Sequence, residues 1–218
     1  MSPSGILGCV FSSHSNAPMS LSGFAALQSV ENLLVPAALA DIRGDWLLEV
    51  APLTGPSPAL DQHRVRMLFD SQGICWPFRA RMDEWPLDDE SVEAVLVRHV
   101  WQPGVAASPM EEILRVLKPG GLMVSVSANP WHRLAWRELG RNALRLPSWP
   151  HLQMLHVRHA LKLSTPAVSQ WRGLVPGVSP VLVLIARKAE RPARIDPVRF
   201  ARPKVAVGAL PASQCRAA

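Results

Sequence analysis

The sequence predicts an α/β fold in which a mostly parallel sheet, covered by helices, is closed by an antiparallel edge strand. The first observation is an alternation of short apolar runs with segments of helical periodicity. The second is that these runs are nearly continuous, which is typical of parallel strands buried on both faces. The third is the end of the predicted domain, where two strands, 152–163 and 179–188, are joined only by a link rich in Pro and Gly.

The first half of the chain contributes one predicted helix and three predicted strands. Apolar residues recur at helical spacing over 21–43, with an interruption expected before Pro36. Residues 45–51 form a strand, since their apolar run is almost unbroken. Two weaker strands are predicted over 64–69 and 78–82, the second because Phe, Ala and Met alternate with arginines.

The second half begins with the clearest strand of the sequence, 92–100. A short helix follows, with Ser108 placed to cap its first turn and the Pro-Gly-Gly of 119–121 placed to end it. Residues 122–128 form the next strand, and 133–145 form a helix. That helix carries four arginines at four-residue spacing, which indicates either a solvated face or a surface for phosphates or anionic lipid: Arg133, Arg137, Arg141 and Arg145.

Composition divides the chain into three parts. Residues 1–20 have neither the basic start nor the long apolar stretch of a secretion signal, and we expect a disordered N-terminus. Residues 21–188 form the predicted domain, and 189–218 form a Pro-, Ala- and Arg-rich tail. The net charge of +6 lies entirely in the last 32 residues. The tail therefore indicates either a nucleic-acid partner, through phosphate neutralisation, or a solubilising terminus.

Cysteine content and hydropathy narrow the class of protein further. The three cysteines are far apart, so neither a disulfide framework nor a metal site is expected, and reduced thiols point to the cytoplasm. No uncharged apolar run reaches the roughly 18 residues of a membrane span, so no span is expected. We expect a cytoplasmic protein whose oligomeric state the sequence leaves open.

Two stretches carry a resemblance to a known family. MDEWPLDDESVEAVLVRHV at 82–100 and MEEILRVLKPGGLMVSVS at 110–127 resemble class I S-adenosylmethionine-dependent methyltransferases, in particular the type 11 branch. The likeness extends over about residues 45–130. It implies a Rossmann-like three-layer sandwich, S-adenosyl-L-methionine as the cofactor, and transfer of its methyl group to an acceptor that the sequence does not identify.

The resemblance also implies roles for particular residues at the carboxyl ends of the strands, where open α/β sheets bind their ligands. His99 is implied to face the transferred methyl group, and it is the candidate catalytic residue, as a general base or simply as a side chain bonded in place. The cofactor-binding candidates are Glu49 near the methionine amine, Ala51, Leu53 and Gly55 in the glycine-rich turn, Asp70 at the ribose, and Asp83 at the adenine amine with Glu84 and Trp85 beside it.

The first turn departs from the family pattern. Glycines there allow a close approach of the backbone to the ligand, but Ala51 and Leu53 stand at two of their positions, and Pro52 has no N–H to donate. Glu49 has an alternative role as the partner of an arginine, and Asp83 has one as a turn former. The alternative function is therefore an inactive, methyltransferase-like protein that acts as a binding or scaffold module through its basic tail.

Overall fold

The computed structural model describes residues 21–40, 42, 46–60, 63–164 and 179–190. The expectations for the N-terminus, for the link 165–178 and for nearly all of the basic tail lie outside the described residues. The domain boundaries and the nucleic-acid partner therefore stay predictions.

The described residues form a seven-stranded sheet with the strand order β3-β2-β1-β4-β5-β7-β6. Strands β1, β2, β4 and β5 are mutually parallel, and β7 runs antiparallel to β5. The predicted α/β class, with a mostly parallel sheet and an antiparallel closing strand, is confirmed. The strands are β1 (Trp46–Pro52), β2 (His63–Phe69), β3 (Ile74–Trp76), β4 (Val92–Arg98), β5 (Leu117–Ala128), β6 (Lys162–Ser164) and β7 (Val181–Arg187).

Helices cover both faces of this sheet, which gives three layers. The helices are α1 (Gln28–Ala38), α2 (Met110–Val116), α3 (Arg133–Leu139) and α4 (Trp149–Arg158), with 3-10 turns at Ala25–Leu27 and Gly140–Arg145. Helices α1 and α3 pack on the face that carries Leu47, Leu96 and Val124. Helices α2 and α4 pack on the opposite face, against Val95 and Leu184 among others. Side chains alternate along each strand between these two cores, as the period of two requires.

Two predicted strands are wrong. Residues 152–158 belong to helix α4, and only Lys162–Ser164 is a strand. The reason is helical spacing, since Leu152 and His156, four residues apart, are the buried side chains of α4. Residues 78–82 do not form a strand, because they pair with β3 only at Ala80, which exchanges both backbone hydrogen bonds with Ile74. The third strand, β3, lies earlier in the chain, before Pro77.

Three predicted boundaries also shift. Helix α1 continues through Pro36 to Ala38, because Leu34, Val35 and Ala38 anchor that last turn in the core. The Pro-Gly-Gly stretch does not end helix α2, because that helix already ends at Val116. The stretch lies inside strand β5 instead. The predicted helix 133–145 is α-helical only as far as Leu139, where Gly140, at φ 55°, begins a 3-10 turn.

None of the described helices is long and apolar enough to cross a membrane.

Candidate functional site

The carboxyl ends of the parallel strands meet at one edge of the sheet, which we call the carboxyl edge. The register pairs Pro52 with Phe69 and Val50 with Val97, so the residues that follow these three strands come together there. Open α/β sheets bind ligands at this edge. It carries the first turn, Asp70 and His99, each of which follows one of these three strands.

The first turn is formed without the missing glycines. Ala51 is buried, and strand β1 extends through Pro52, whose fixed φ suits an extended backbone. The N–H of Leu53 then donates to the carbonyl of Phe69 at 2.9 Å, while the Leu53 side chain is half exposed. The N–H of Gly55 donates back to Pro52 O at 3.0 Å and closes the turn. Within the described residues, 53–60 contain no helix between β1 and β2.

A segment that precedes helix α1 lies directly on this turn, and we call residues 21–24 the N-terminal strap. Thr54 Oγ1 donates to the carbonyl of Leu21 at 3.2 Å. A Cβ at Gly23 would lie 2.4 Å from the carbonyl oxygen of Thr54, so only glycine allows this approach. Gln102 fixes the strap from the other side, since its side chain both accepts from Ser22 N and donates to Ser22 O. The strap therefore covers the turn where the resemblance places the cofactor.

His99 lies beneath the strap rather than facing solvent. It follows strand β4 with a left-handed backbone, φ 50°, and its ring stacks on that of Phe24 with centroids 4.3 Å apart. Phe24 has a similar left-handed backbone, φ 52°. Such backbones in bulky residues are strained and persist only where the surroundings fix them. His99 Nε2 lies 2.7 Å from Glu31 Oε1, and Nδ1 forms no hydrogen bond with any described residue.

A buried ionic cluster holds the base of this site: Glu31, Glu49, Arg98 and His99. Arg98 donates through Nε and Nη2 to Glu31 Oε2 and through Nη1 to Glu49 Oε1 at 3.1 Å. The same Nη1 donates to the carbonyl of Pro56 at 2.7 Å, which ties the loop after β1 to the cluster. Buried charges are costly unless they are paired, and here each charge has a partner.

Glu49 is the most heavily paired acid of the cluster. Besides Arg98, its carboxylate lies 3.1 Å from Arg66 Nε and 3.6 Å from Arg64 Nη1, and Ser57 Oγ donates to it at 3.2 Å. Glu49 is fully buried, whereas Arg64 and Arg66 are partly exposed. The carboxylate thus pairs with arginines, which is the alternative that the sequence left open. Its role toward a cofactor stays a prediction.

Glu31 is held as a carboxylate at all ordinary pH values. Burial by itself raises its pKa, but the charges and hydrogen bonds of His99 and Arg98 oppose burial and lower the pKa from 4.5 to about 2. Sequence reasoning missed both Glu31 and Arg98. The available signal was a charged residue inside an apolar pattern, since Glu31 lies between Leu27 and Leu34 on the buried face of α1 and Arg98 ends an apolar strand.

Asp70 lies at a separate part of the carboxyl edge, beside a cavity of about 370 Å³. Its Oδ1 accepts the N–H groups of Gln72 at 2.7 Å and Gly73 at 3.2 Å, while Oδ2 forms no hydrogen bond with the described residues. Cys75 also lines the cavity, and burial, followed by the charge of Asp70, raises the pKa of its thiol. Arg79 and Arg81 complete the polar lining.

The remaining candidates do not line this cavity, although Asp83 contacts Arg81, which does. Both oxygens of Asp83 accept from Arg81, at 2.9 and 2.8 Å, and this contact lowers the pKa of the Asp83 carboxyl. Glu84 is exposed. Trp85 is buried and donates its indole N–H to Met82 O at 3.0 Å. Its backbone N–H donates to Glu112 at 2.7 Å, and its carbonyl accepts from Arg115 Nη2 at 2.9 Å.

Comparison with known proteins gives a short sequence match and a broad structural one. No family model matches the chain. The chain is 48% identical over 59 residues to uncharacterised methyltransferases of Mycobacterium tuberculosis and Mycobacterium bovis; the match covers 27% of this chain and 24% of each relative, so the chain spans about a quarter of the curated relatives' length.

Among solved structures, the CurJ carbon methyltransferase is 15% identical and superimposes with a TM-score of 0.50, over 76% of this chain and 56% of that chain. An S-adenosylmethionine-dependent methyltransferase from Aquifex aeolicus is 13% identical with a TM-score of 0.48, over 75% of this chain and 96% of that chain. The chain therefore has a Rossmann-like fold of the kind found in methyltransferases, and its curated matches are methyltransferases.

Proposed function

We propose that the chain is an S-adenosyl-L-methionine-dependent methyltransferase, of the type 11 branch and in the cytoplasm, with an acceptor still to be identified. The observation that carries the proposal is Asp70, a carboxylate at the end of β2 whose Oδ2 has no partner among the described residues and which borders a cavity of about 370 Å³. That volume lies within the roughly 300–1,000 Å³ of small-molecule sites. A ribose supplies the two hydroxyl donors that such a carboxylate accepts best.

The adenine end of the cofactor would lie toward Asp83, with Glu84 and Trp85 beside it. Each oxygen of Asp83 already accepts one hydrogen bond from Arg81 and retains a second lone pair for an exocyclic amine. Trp85 would contribute apolar packing alone, because its indole N–H is already donated to Met82.

The methionine end would lie over the first turn, with backbone contacts from Ala51 and Gly55 and negative charge from Glu49 beneath. In the structure the N-terminal strap covers this turn, and three arginines share the charge of Glu49. Binding would therefore require the strap to move, so that Thr54 and Gln102 exchange strap contacts for cofactor contacts.

His99 is the residue we propose for proton transfer. Its Nε2 is held by Glu31, and Nδ1 has no partner among the described residues, so Nδ1 is the ring nitrogen that would exchange a proton with the acceptor once Phe24 has moved aside. The bound cofactor supplies an activated sulfonium methyl group, so the protein's part is chiefly to orient the acceptor and exclude water.

Thermal denaturation of the full chain with S-adenosylmethionine and S-adenosylhomocysteine tests the proposal without knowledge of the acceptor. A ligand that binds only the folded state stabilises it by RT ln(1 + c/Kd), where c is the free ligand concentration, so Tm rises with ligand concentration. We expect both compounds to raise Tm, and adenosine triphosphate, the control nucleotide, to leave it unchanged. No shift at millimolar cofactor would contradict the proposal and favour a methyltransferase-like binding protein.

A further inference from the structure

The segment after strand β5 presents an unusual surface. Seven side chains of residues 131–145 are turned outward, three apolar and four basic, and we call them the Trp–Arg surface: Trp131, Trp136, Leu144, Arg133, Arg137, Arg141 and Arg145. The exposed fractions are 70% for Trp131, 55% for Leu144 and 39% for Trp136. Several large apolar side chains exposed within one short segment are typical of a binding surface.

The packing of α3 explains why these side chains face outward. Ala135 and Ala143 are the fully buried side chains of the segment, with Leu146 just beyond it, and they join the core that includes α1. Alanines let the helix lie close to its neighbours, so the larger side chains remain on the solvent side. The indole N–H of Trp136 donates to Pro130 O at 2.9 Å, which fixes that ring while part of its surface stays exposed.

The charge of the surface is uniformly positive. None of the four arginines forms an ion pair or side-chain hydrogen bond with a described residue. Glu138, the only acid in the sequence between residues 131 and 146, is partly buried and accepts a hydrogen bond from Ser22 Oγ at 3.0 Å. Its charge is therefore directed toward the strap rather than toward the arginines.

We propose that the Trp–Arg surface docks the protein on an anionic lipid bilayer as a peripheral contact. Arginines attract the anionic headgroups, and tryptophan and leucine insert at the boundary between headgroups and acyl chains. A nucleic acid would satisfy the arginines, but Leu144 offers it neither hydrogen bonding nor ring stacking. Trp131 follows the carboxyl end of β5, so docking brings the carboxyl edge of the sheet to the lipid. The proposal is independent of the proposed enzymatic function.

Cosedimentation of the full chain with vesicles tests this docking. The vesicles are phosphatidylcholine alone, or phosphatidylcholine with about one third phosphatidylglycerol, and binding is expected only to the anionic ones and to weaken with salt. The quadruple variant R133Q/R137Q/R141Q/R145Q should lower the partition coefficient by about 100-fold or more. The matched control R194Q/R199Q/R202Q/R216Q removes the same charge from the tail and should lower it far less.

A second variant separates lipid from nucleic acid. W131S/L144S keeps every charge and changes only exposed side chains, so its fold is retained, and it should lower vesicle binding by about 10-fold. Wild-type protein that does not bind anionic vesicles would overturn the proposal. So would a tail variant that loses as much binding as the quadruple variant, or W131S/L144S that binds vesicles normally. If competition by single-stranded RNA depends on the four arginines and vesicle binding does not, the surface is a nucleic-acid surface instead.

Discussion

Arg98 and Glu49 form a fully buried ion pair at the carboxyl edge of the sheet, with Nη1 3.1 Å from Oε1. The two residues lie on adjacent parallel strands, β4 and β1, and the other side of the same guanidinium is held by Glu31 of helix α1. One arginine thus joins two strands and a helix at the place where the first turn begins. This arrangement accounts for the buried charged residues Glu49 in β1 and Arg98 in β4.

Replacement of Arg98 by Met should destabilise the protein strongly. It leaves two buried carboxylates without their shared partner, and loss of one member of a buried pair costs about 3–5 kcal/mol. Urea unfolding followed by circular dichroism measures the free energy of unfolding. Arg115→Met, which breaks partly exposed pairs with Glu112 and Asp89, is the control and should cost less. Equal losses of unfolding free energy in the two variants would show that the buried pairs of Arg98 stabilise the fold no more than the partly exposed pairs of Arg115.

The stability of the protein should fall on acidification in a defined window. The pKa of Glu31 is lowered in the folded state, to about 2 from 4.5, so its ionised form stabilises the fold above the unfolded pKa, and this contribution is lost as pH falls toward the folded pKa. Glu31→Gln cannot titrate. The difference in unfolding free energy between wild type and Glu31→Gln should therefore shrink between about pH 4.5 and pH 2. A constant difference over that range would disprove that the folded state lowers the pKa of Glu31.

Removal of the Phe24 ring should expose His99. Phe24 stacks on the His99 ring, and both are nearly inaccessible to solvent. In Phe24→Ala, modification of His99 by diethyl pyrocarbonate, mapped by mass spectrometry, should become much faster, and stability should fall by about 3–5 kcal/mol. His151 is exposed and should react in both proteins, while buried His156 should stay protected in both. Reaction of His156 as well would indicate general loosening rather than movement of the strap.

Displacement of the strap by a single methyl group is a sharper test of its contact with the first turn. In Gly23→Ala the new Cβ would meet the backbone of Thr54 and Gly55 at 2.4 and 2.7 Å, so the strap must shift. We expect a loss of about 1–3 kcal/mol and faster amide exchange at residues 21–24. Ser22→Ala, which removes only the hydroxyl contacts with Glu138 and Phe24, is the control. Unchanged exchange in Gly23→Ala would show that the strap does not rest on the turn in solution.

The fold class was predictable because the strands of the sheet are long, apolar and local in sequence. Strands β1, β4 and β7 are found where their apolar runs lie, within one or two residues of the prediction. Helix α4 was mistaken for a strand because its apolar residues are few and partly alternate, and only burial of Leu152 and His156 distinguishes the two. Tertiary packing likewise keeps Pro36 inside α1 against its local preference.

The site was predictable only where residues follow a strand directly. The family resemblance implied roles for Glu49, Asp70 and His99; Asp70 and His99 directly follow β2 and β4 at the carboxyl edge, whereas Glu49 lies within β1. The partners of Glu49 and His99 were not predictable, because Glu31 and Arg98 are 67 residues apart in sequence and meet only in the folded sheet. No sequence motif predicts the N-terminal strap, because its position depends on contacts with Thr54, Gln102 and His99.

Isothermal titration of S-adenosylmethionine into the wild type, Asp70→Asn and Asp88→Asn tests the central claim most directly. Asn at position 70 keeps the Oδ1 acceptor for Gln72 and Gly73 but removes the charge that would hold the ribose, whereas Asp88 is exposed and does not line the cavity. We expect binding by the wild type and by Asp88→Asn, and about 10-fold or greater weakening in Asp70→Asn. Equal affinities in all three proteins, or no binding by the wild type, would contradict a nucleoside site at Asp70.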